Sequence, residues 1–351
     1  MSAHDPNEQD DPRLSRRGSA TLADVALVAG VSKITASRAL SNPDIVSPVT
    51  RRRVQEAVVK TGYVPNFLAG GLKSNRSRLI ACIVPTISSG SAFMVAVQAL
   101  TEAFTEAGYQ VMLAQRGYGG AGEESLVDSV AARRPDGIVL VGMLESATAR
   151  ERLASTGIPI VEAWDMTSKP IDMLVGFSHR KVGNAIARFL HRKGRRNLAM
   201  IIADEPRGMA RARGLAEAAR RLGLANDPVA GVHACMIPVP SRIAHGREGL
   251  RSIMQAYPET DAVYCASDQV ALGALIEAAS QRIAVPERVA IIGFGDLDFA
   301  EVTEPPLTTV KVDSIEIGRQ AAALLIARIN GKAIGQKTVD LGFTLLERGS
   351  A

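Results

Sequence analysis

From Leu79 onward the chain repeats one pattern, a short apolar strand followed by an amphipathic helix, and this alternation restricts the fold more than any other feature. Apolar runs at 79–84, 110–115, 137–143, 159–163 and 173–177 read as strands, with helices around 92–107, 123–132 and 146–155. The alternation resumes with a helix at 180–193, strands at 198–203, 232–236, 262–266 and 289–293, and helices near 208–222, 242–256, 270–280 and 314–329. Strands joined through helices pair in parallel, and the helices cover both faces of the sheet. With 46% apolar residues there is ample material for such cores. Residues 79–351 therefore predict an α/β body of two doubly wound parallel-sheet subdomains, whose ligand binds at the carboxyl ends of strands.

Charge separates this body from what precedes it. Residues 1–78 hold 12 Lys and Arg against 7 Asp and Glu, whereas residues 79–351 hold 29 of each. Four of the early acids (Asp5, Glu8, Asp10, Asp11) lie in a polar tail over 1–19, read as disordered, so residues 12–78 carry 12 basic groups against 3 acidic ones. A compact basic head before a neutral body suits a phosphate backbone.

No apolar run approaches the ~20 residues of a membrane span. The N-terminal stretch lacks the apolar core of a signal peptide, so cytoplasmic residence is expected. Cys82, Cys235 and Cys265 are odd in number and set in apolar surroundings, which reads as buried thiols in a reducing compartment. The five histidines show no metal-ligand spacing, and no cofactor is expected.

In the head, 22–29 reads as a short helix with Thr21 as N-cap, Gly30-Val31 as a turn, and 33–40 as a second helix capped by Ser32. Two short helices joined by a tight glycine turn describe a helix-turn-helix, here over 20–64. Ser41-Asn42-Pro43 ends the pair, and Ser47-Pro48 opens a third helix running to Lys60.

Thr21-Leu22-Ala23-Asp24-Val25-Ala26, Ala29-Gly30-Val31-Ser32, Thr35-Ala36-Ser37-Arg38 and Gly62-Tyr63-Val64-Pro65-Asn66 resemble, in order and spacing, the head of the LacI/GalR repressors. Ala266-Ser267-Asp268-Gln269-Val270-Ala271-Leu272-Gly273-Ala274 and the run from Ile292 to Val310 are similar to the C-terminal half of the same family's periplasmic-binding-protein-like body. Within the family, Val31 to Thr35, Gly108 to Ala114, Gly157 to Glu162, Val175 to Phe177 and Leu341 to Leu345 look most like the gluconate-utilisation repressor branch.

The resemblance implies that the second helix lies in the major groove, with Lys33 and Ile34 discriminating operators and Arg38 reading a guanine. The side-chain chemistry agrees, since Lys and Arg donate to guanine O6 and N7 while Ile offers apolar contact to a thymine methyl. Thr21, Ser32, Thr35, Ser37, Asn42 and Thr50 are candidates for phosphate contacts. Residues 65–78 are then a hinge that becomes helical on the operator, with Asn66 at its start and Leu72 as an apolar wedge in the minor groove. Gly70-Gly71 departs from that pattern and makes the helix more dependent on DNA.

A sugar-acid effector needs Asp, Asn or Ser for its hydroxyls and Arg for its carboxylate. Candidates at strand ends are Ser88, Ser89 and Phe93, the pair Trp164-Asp165, Arg207 and Arg211 four apart on one helical face, Asp268 and Asp296. By resemblance Arg211 is the family's pocket arginine. The family's Gly-Tyr-Asp triplet is Gly293-Phe294-Gly295 here, which moves its acid to Asp296 or Asp298. Glu162 is expected to point into the sheet or an interface. Gly117-Tyr118-Gly119-Gly120-Ala121-Gly122, with Glu145 downstream, mimics a dinucleotide fingerprint but follows the second strand and reads as a flexible loop.

A periplasmic sugar-binding protein would need a signal peptide and no basic head, and no nucleophile-base pair, metal spacing or phosphate loop marks an enzyme. The sequence thus predicts a homodimeric repressor on near-palindromic double-stranded DNA, released by gluconate or a related hexonate. A family regulator answering to a neutral sugar or another metabolite, or acting through a corepressor, is the alternative. No heptad helix for tetramerisation follows the last strand.

Overall fold

The computed structural model describes residues 20–64, 76–87, 92–224 and 232–351. The chain divides into two compact units, one ending at Asn75 and the other beginning at Arg76. The tail over 1–19, the hinge residues Asn66 and Leu72, and Ser88 and Ser89 lie outside the described residues.

The first unit holds α1 (Leu22–Ala29), α2 (Lys33–Ser41), a 3-10 turn (Pro43–Ile45) and α3 (Pro48–Thr61). Thr21 donates its amide and hydroxyl hydrogens to the Asp24 carboxylate at 2.8 and 2.7 Å, fixing the start of α1. Gly30 stops α1 with φ +61. Arg53 reaches across from α3 to donate to the Ala29 carbonyl at 2.7 Å. A Cβ on Gly30 would sit 2.7 Å from that guanidinium, so glycine is required for both conformation and space. Ser32 accepts the Thr35 amide at 3.1 Å to cap α2, and Ser47 caps α3 ahead of Pro48. Val25, Ala26, Ala29, Ala36, Ala39, Val54 and Ala57 are buried between the three helices. These small side chains let the helices cross closely.

The second unit is the expected α/β body. Its first sheet contains β1 (Leu79–Val84), β2 (Gln110–Gln115), β3 (Gly137–Val141), β4 (Ile160–Ala163), β5 (Met173–Gly176) and β11 (Thr338–Asp340), ordered β11-β5-β4-β3-β1-β2. The second contains β6 (Leu198–Ala203), β7 (His233–Ile237), β8 (Ala262–Cys265) and β9 (Ala290–Ile292), ordered β7-β6-β8-β9. Every pairing in both sheets is parallel. The intervening helices are α4 (Phe93–Glu106), α5 (Glu123–Ala131), α6 (Ala147–Ser155), α7 (His179–Arg192), α8 (Pro206–Arg221), α9 (Ile243–Ala256), α10 (Asp268–Ser280) and α11 (Ser314–Ile329). Strands β1, β3, β4, β5, β6, β8 and β9 are buried almost throughout, as parallel strands covered on both faces must be.

Three strands were not legible as such: β10 (Thr309–Lys311), β11 and β12 (Thr344–Leu346), each only three residues long. β10 and β12 form a separate antiparallel pair, while β11 extends the first sheet beside β5. The chain therefore leaves the first lobe after β5, returns to it with α11, which packs on α4, and adds β11 there. Three residues assigned to the hinge, Arg76, Ser77 and Arg78, fall in the unit of the body. The Ser77 amide and hydroxyl and the Arg78 amide all donate to Asp136, and the Gln110 amide donates to the Arg78 carbonyl. Cys82 and Cys265 are buried free thiols, whereas Cys235 is only half-buried, because β7 is an edge strand. Burial pushes the Cys82 thiol up to about 12. Among the described residues no helix is long and apolar enough to cross a membrane.

Candidate effector cleft and DNA-reading surface

The cleft lies between the two lobes of the body, at the carboxyl ends of their strands, and opens to solvent. Phe93, Tyr118, Trp164, Glu205, Arg207, Arg211, Ser241, Gln269 and Phe294 are among its walls. A second recess shares Glu205 and Arg207 with it and adds Arg116, Asp165 and His179.

Arg207 and Arg211 stand in the first turns of α8, whose entry is set by Glu205 and Pro206. Glu205 caps the helix by accepting the Gly208 amide at 2.7 Å and also takes Arg207 Nε at 3.0 Å. Burial alone would raise the Glu205 carboxyl, but Arg207 and Arg211 beside it hold it below its usual range, so it is ionised. The Nη1 of Arg207 is buried without a hydrogen-bond partner, and its guanidinium lies 5.5 Å from the Phe93 ring centre. Arg211 is committed elsewhere. It donates to the Tyr264 hydroxyl at 2.8 Å, to His179 Nδ1 at 2.9 Å and to the Ala266 carbonyl at 3.3 Å, and stacks 4.3 Å above Phe294. Its place is set by the crossing of α7 and α8. A Cβ on Gly183 would meet the Arg211 carbonyl at 1.9 Å, and one on Gly214 would meet the Arg180 carbonyl at 2.0 Å.

Because His179 Nδ1 accepts from Arg211, its proton lies on Nε2, facing the Trp164 carbonyl at 3.1 Å and Asp165 at 3.3 Å. Burial first, then the charges of Arg211 and Arg207, hold this ring far below its ordinary range, so it is neutral. Burial pushes the Asp165 carboxyl up to about 7, against the pull of Arg207. Trp164 takes φ +79 at the end of β4 and is only 3% exposed, edge-on to Phe93 and Phe177.

Phe93, Trp164, Asp165, Arg207 and Arg211 are thus brought together, but two expected acids are not. Asp268 is fully buried, accepting the Thr309 hydroxyl at 2.6 Å and the Leu297 amide at 2.7 Å, so both oxygens brace the loop after β9. Asp296 pairs with Arg348 at 2.7 Å and Lys311 at 3.4 Å, beside a different recess. Glu162 is buried against Arg150 at 2.6 Å and the Ile171 amide, which keeps it in the first lobe. Glu205, His179, Tyr264, Tyr118 and Arg116 were missed. Glu205, an acid before a helix-opening proline, Tyr118, in a loop after a strand end, and Arg116, directly after β2, carried a signal. The Gly117–Gly122 loop delivers Tyr118 to the cleft.

In the head, Lys33, Ile34, Ser37 and Arg38 are exposed on α2, Ile34 at 65%. Thr21 and Asn42 are exposed at helix ends, Ser32 is exposed beside the half-buried Thr35, and Thr50 is half-buried against Ser47.

Residues 21–66 match the model of the bacterial regulatory proteins of the lacI family, and 187–351 match a periplasmic binding protein-like domain. The HTH-type transcriptional regulator GntR of Pseudomonas aeruginosa is 34% identical over 97% of this chain and 98% of its own length. The chain belongs to the LacI family. The HTH-type transcriptional repressor CytR of Escherichia coli is 31% identical over 94% of this chain and 96% of its own. A LacI-family regulator from Silicibacter pomeroyi superposes with a TM-score of 0.86 at 30% identity, covering 94% of this chain and 99% of that one. The chain is a DNA-binding LacI-family repressor and not an enzyme. Members of the family bind operator DNA and small-molecule effectors and work as dimers.

Proposed function

We propose that this LacI-family repressor controls genes of sugar-acid catabolism, and that a hexonate of the gluconate type enters the cleft and releases the operator. The observation that carries the reading is Arg207, whose buried Nη1 faces the cleft with no partner. Two guanidinium groups face one firmly ionised carboxylate, Glu205, and an Asp165 whose charge burial weakens. That imbalance favours an anionic ligand, and the hydroxyl-bearing Tyr118 and Ser241 with the amide of Gln269 suit a polyol chain. Arg211 lines the cleft and holds His179 and Tyr264 in place.

In the head, Lys33, Ile34 and Arg38 read bases from the major groove, and Thr21, Ser32, Thr35, Ser37, Asn42 and Thr50 set the phosphate register. Two copies bind a near-palindromic site. Effector binding favours a closed body whose hinge no longer orders on the operator. The test is operator anisotropy with the full chain, on a duplex selected from a random pool. Gluconate is expected to weaken the complex, on the scale of the ~5–150-fold coupling usual for allosteric proteins, and glucose is not. Equal action by the two would rule out an acid sensor, and tighter binding with either would mark a corepressor.

A further inference from the structure

We propose that Arg116 and Arg207, one from each lobe, jointly grip the carboxylate of a 2-hydroxy acid above Gly142, with the 2-hydroxyl donating to Asp165. This deepens the sugar-acid reading and rests on it for the rest of the ligand. The observation is a convergence. A Cβ built on Gly142 would lie 3.5 Å from Arg116 Nη2, 3.5 Å from Asp165 Oδ2 and 3.8 Å from Arg207 Nη1. Three charged side chains from three separate segments thus surround a space that the residue after β3 leaves without a side chain. Gly142 has φ +87, so a larger residue there is both strained and obstructive.

The atoms that face this space are unspent. Glu123 accepts Arg116 Nη1 at 3.1 Å and the Glu145 and Ser146 amides at 2.9 and 2.8 Å. Glu145 accepts the same Nη1 at 3.3 Å and the Gly119 amide at 3.2 Å. Among the described residues the hydrogen bonds of Arg116 all run from Nη1, which leaves Nη2, the atom beside Gly142, uncommitted, and its Nε is buried without a partner on a side chain only 4% exposed. Arg207 gives its Nε to Glu205, and its Nη1 is likewise unpartnered. Asp165 uses Oδ1 toward His179 and has no partner at Oδ2 among the described residues. Asp165 and Arg207 are too far apart to form an ion pair, and buried donors and acceptors left unmade are costly. A carboxylate fits two donors from opposite lobes, and a hydroxyl on the adjacent carbon fits the acceptor beside them. A 2-keto group would instead turn an acceptor toward an ionised carboxylate. Because Arg116 directly follows the first lobe's β2 and Arg207 stands in the first turn of the second lobe's α8, the gripped carboxylate ties the lobes together.

The test titrates D-gluconate, 2-keto-D-gluconate and D-glycerate into the full chain by calorimetry at pH 8, for the parent, Arg116→Gln and Arg116→Lys. Gluconate is expected to bind the parent at least ~10-fold more tightly than its 2-keto analogue. Arg116→Gln should lose roughly 10- to 100-fold for gluconate and glycerate, with Arg116→Lys between the two. Unchanged thermal melting and operator affinity in a variant show that it is folded. If Arg116→Gln melts early, the Lys variant and the parent's 2-hydroxy preference decide. Gluconate binding that is indifferent to Arg116, or no weaker for the 2-keto acid, overturns the grip and leaves the sugar-acid reading standing. Glycerate binding that depends on Arg116, with gluconate excluded, overturns the hexonate reading and keeps the grip. Failure of all three acids on the parent overturns both.

Discussion

In the head, the side chains proposed to meet DNA are exposed or half-buried, and their hydrogen bonds run to neighbours three residues away: Thr21 to Asp24, Ser32 to Thr35, Ser47 to Thr50. In the cleft the bonds join residues far apart in the chain, such as Arg211 with His179 and Tyr264, or Arg116 with Glu145. The cleft groups are also buried, so each charge is held in place by the others. A substitution in the head therefore removes one contact. A substitution in the cleft leaves its former partners buried and unmatched, and the damage is shared.

The sharpest break of this contrast is Arg211→Leu. Removing a 4% exposed guanidinium that serves Tyr264, His179 and Glu205 is expected to destabilise the body by ~3–5 kcal/mol. Thermal unfolding of the full chain measures it, and a melt like the parent's would show that the network is not a unit. Operator affinity, measured well below the transition, should survive without any effector response.

Asp165 gives the next effect, with its sign set by pH. Its folded carboxyl is raised to about 7, above its ordinary 3.8, so the folded state holds the proton more tightly than the unfolded chain. Stability from this group is thus present below about pH 4 and is lost as pH rises toward 7. Arg207, Arg211 and Arg116 oppose the shift, Glu205 adds to it, and the neutral His179 ring donates to Asp165 without a charge. Asp165→Asn should raise the melting temperature at pH 8 and do little at pH 4. The preference for gluconate over its 2-keto analogue should likewise shrink as pH falls through 7, since a protonated Asp165 can donate. A preference independent of pH would place the 2-position elsewhere.

Arg38→Ala tests the other side of the contrast. It should cost ~1–3 kcal/mol on the selected operator, little on random duplex, and nothing in thermal stability. Equal losses on both duplexes would make Arg38 a phosphate contact. The smallest effect is expected from Ser32→Ala, which removes the α2 cap and should lower head stability by ~1 kcal/mol, read from helical melting. A loss confined to DNA affinity would mean that Ser32 serves phosphate more than the helix.

These differences follow where the sequence was legible. The boundaries of α1 and α2 could be read within a residue, because Thr21, Gly30 and Ser32 act on backbone groups one turn away. The strands β1 to β9 could be read from apolar runs, while β10, β11 and β12 could not, because each has only three residues set in mixed polar sequence. Strand-end position pointed to Asp165, Arg207 and Arg211, which the structure places at the cleft and its adjoining recess. It pointed equally to Asp268 and Asp296, whose carboxylates turn to Thr309 and Arg348 instead, since a strand end does not say which way a side chain turns.

By itself the sequence determined the fold class and the basic head, because helix caps, strand periodicity and net charge are set by residues near one another in the chain, and its motifs carried the resemblance to the family. Only the tertiary structure decided which arginine is free. Arg207 and Arg211 look alike four residues apart, and Arg116 looks like any strand-end cation. What separates them is the arrival of Tyr264, His179, Glu205 and Glu123 from distant segments, which occupies some donors and leaves others facing the same space over Gly142.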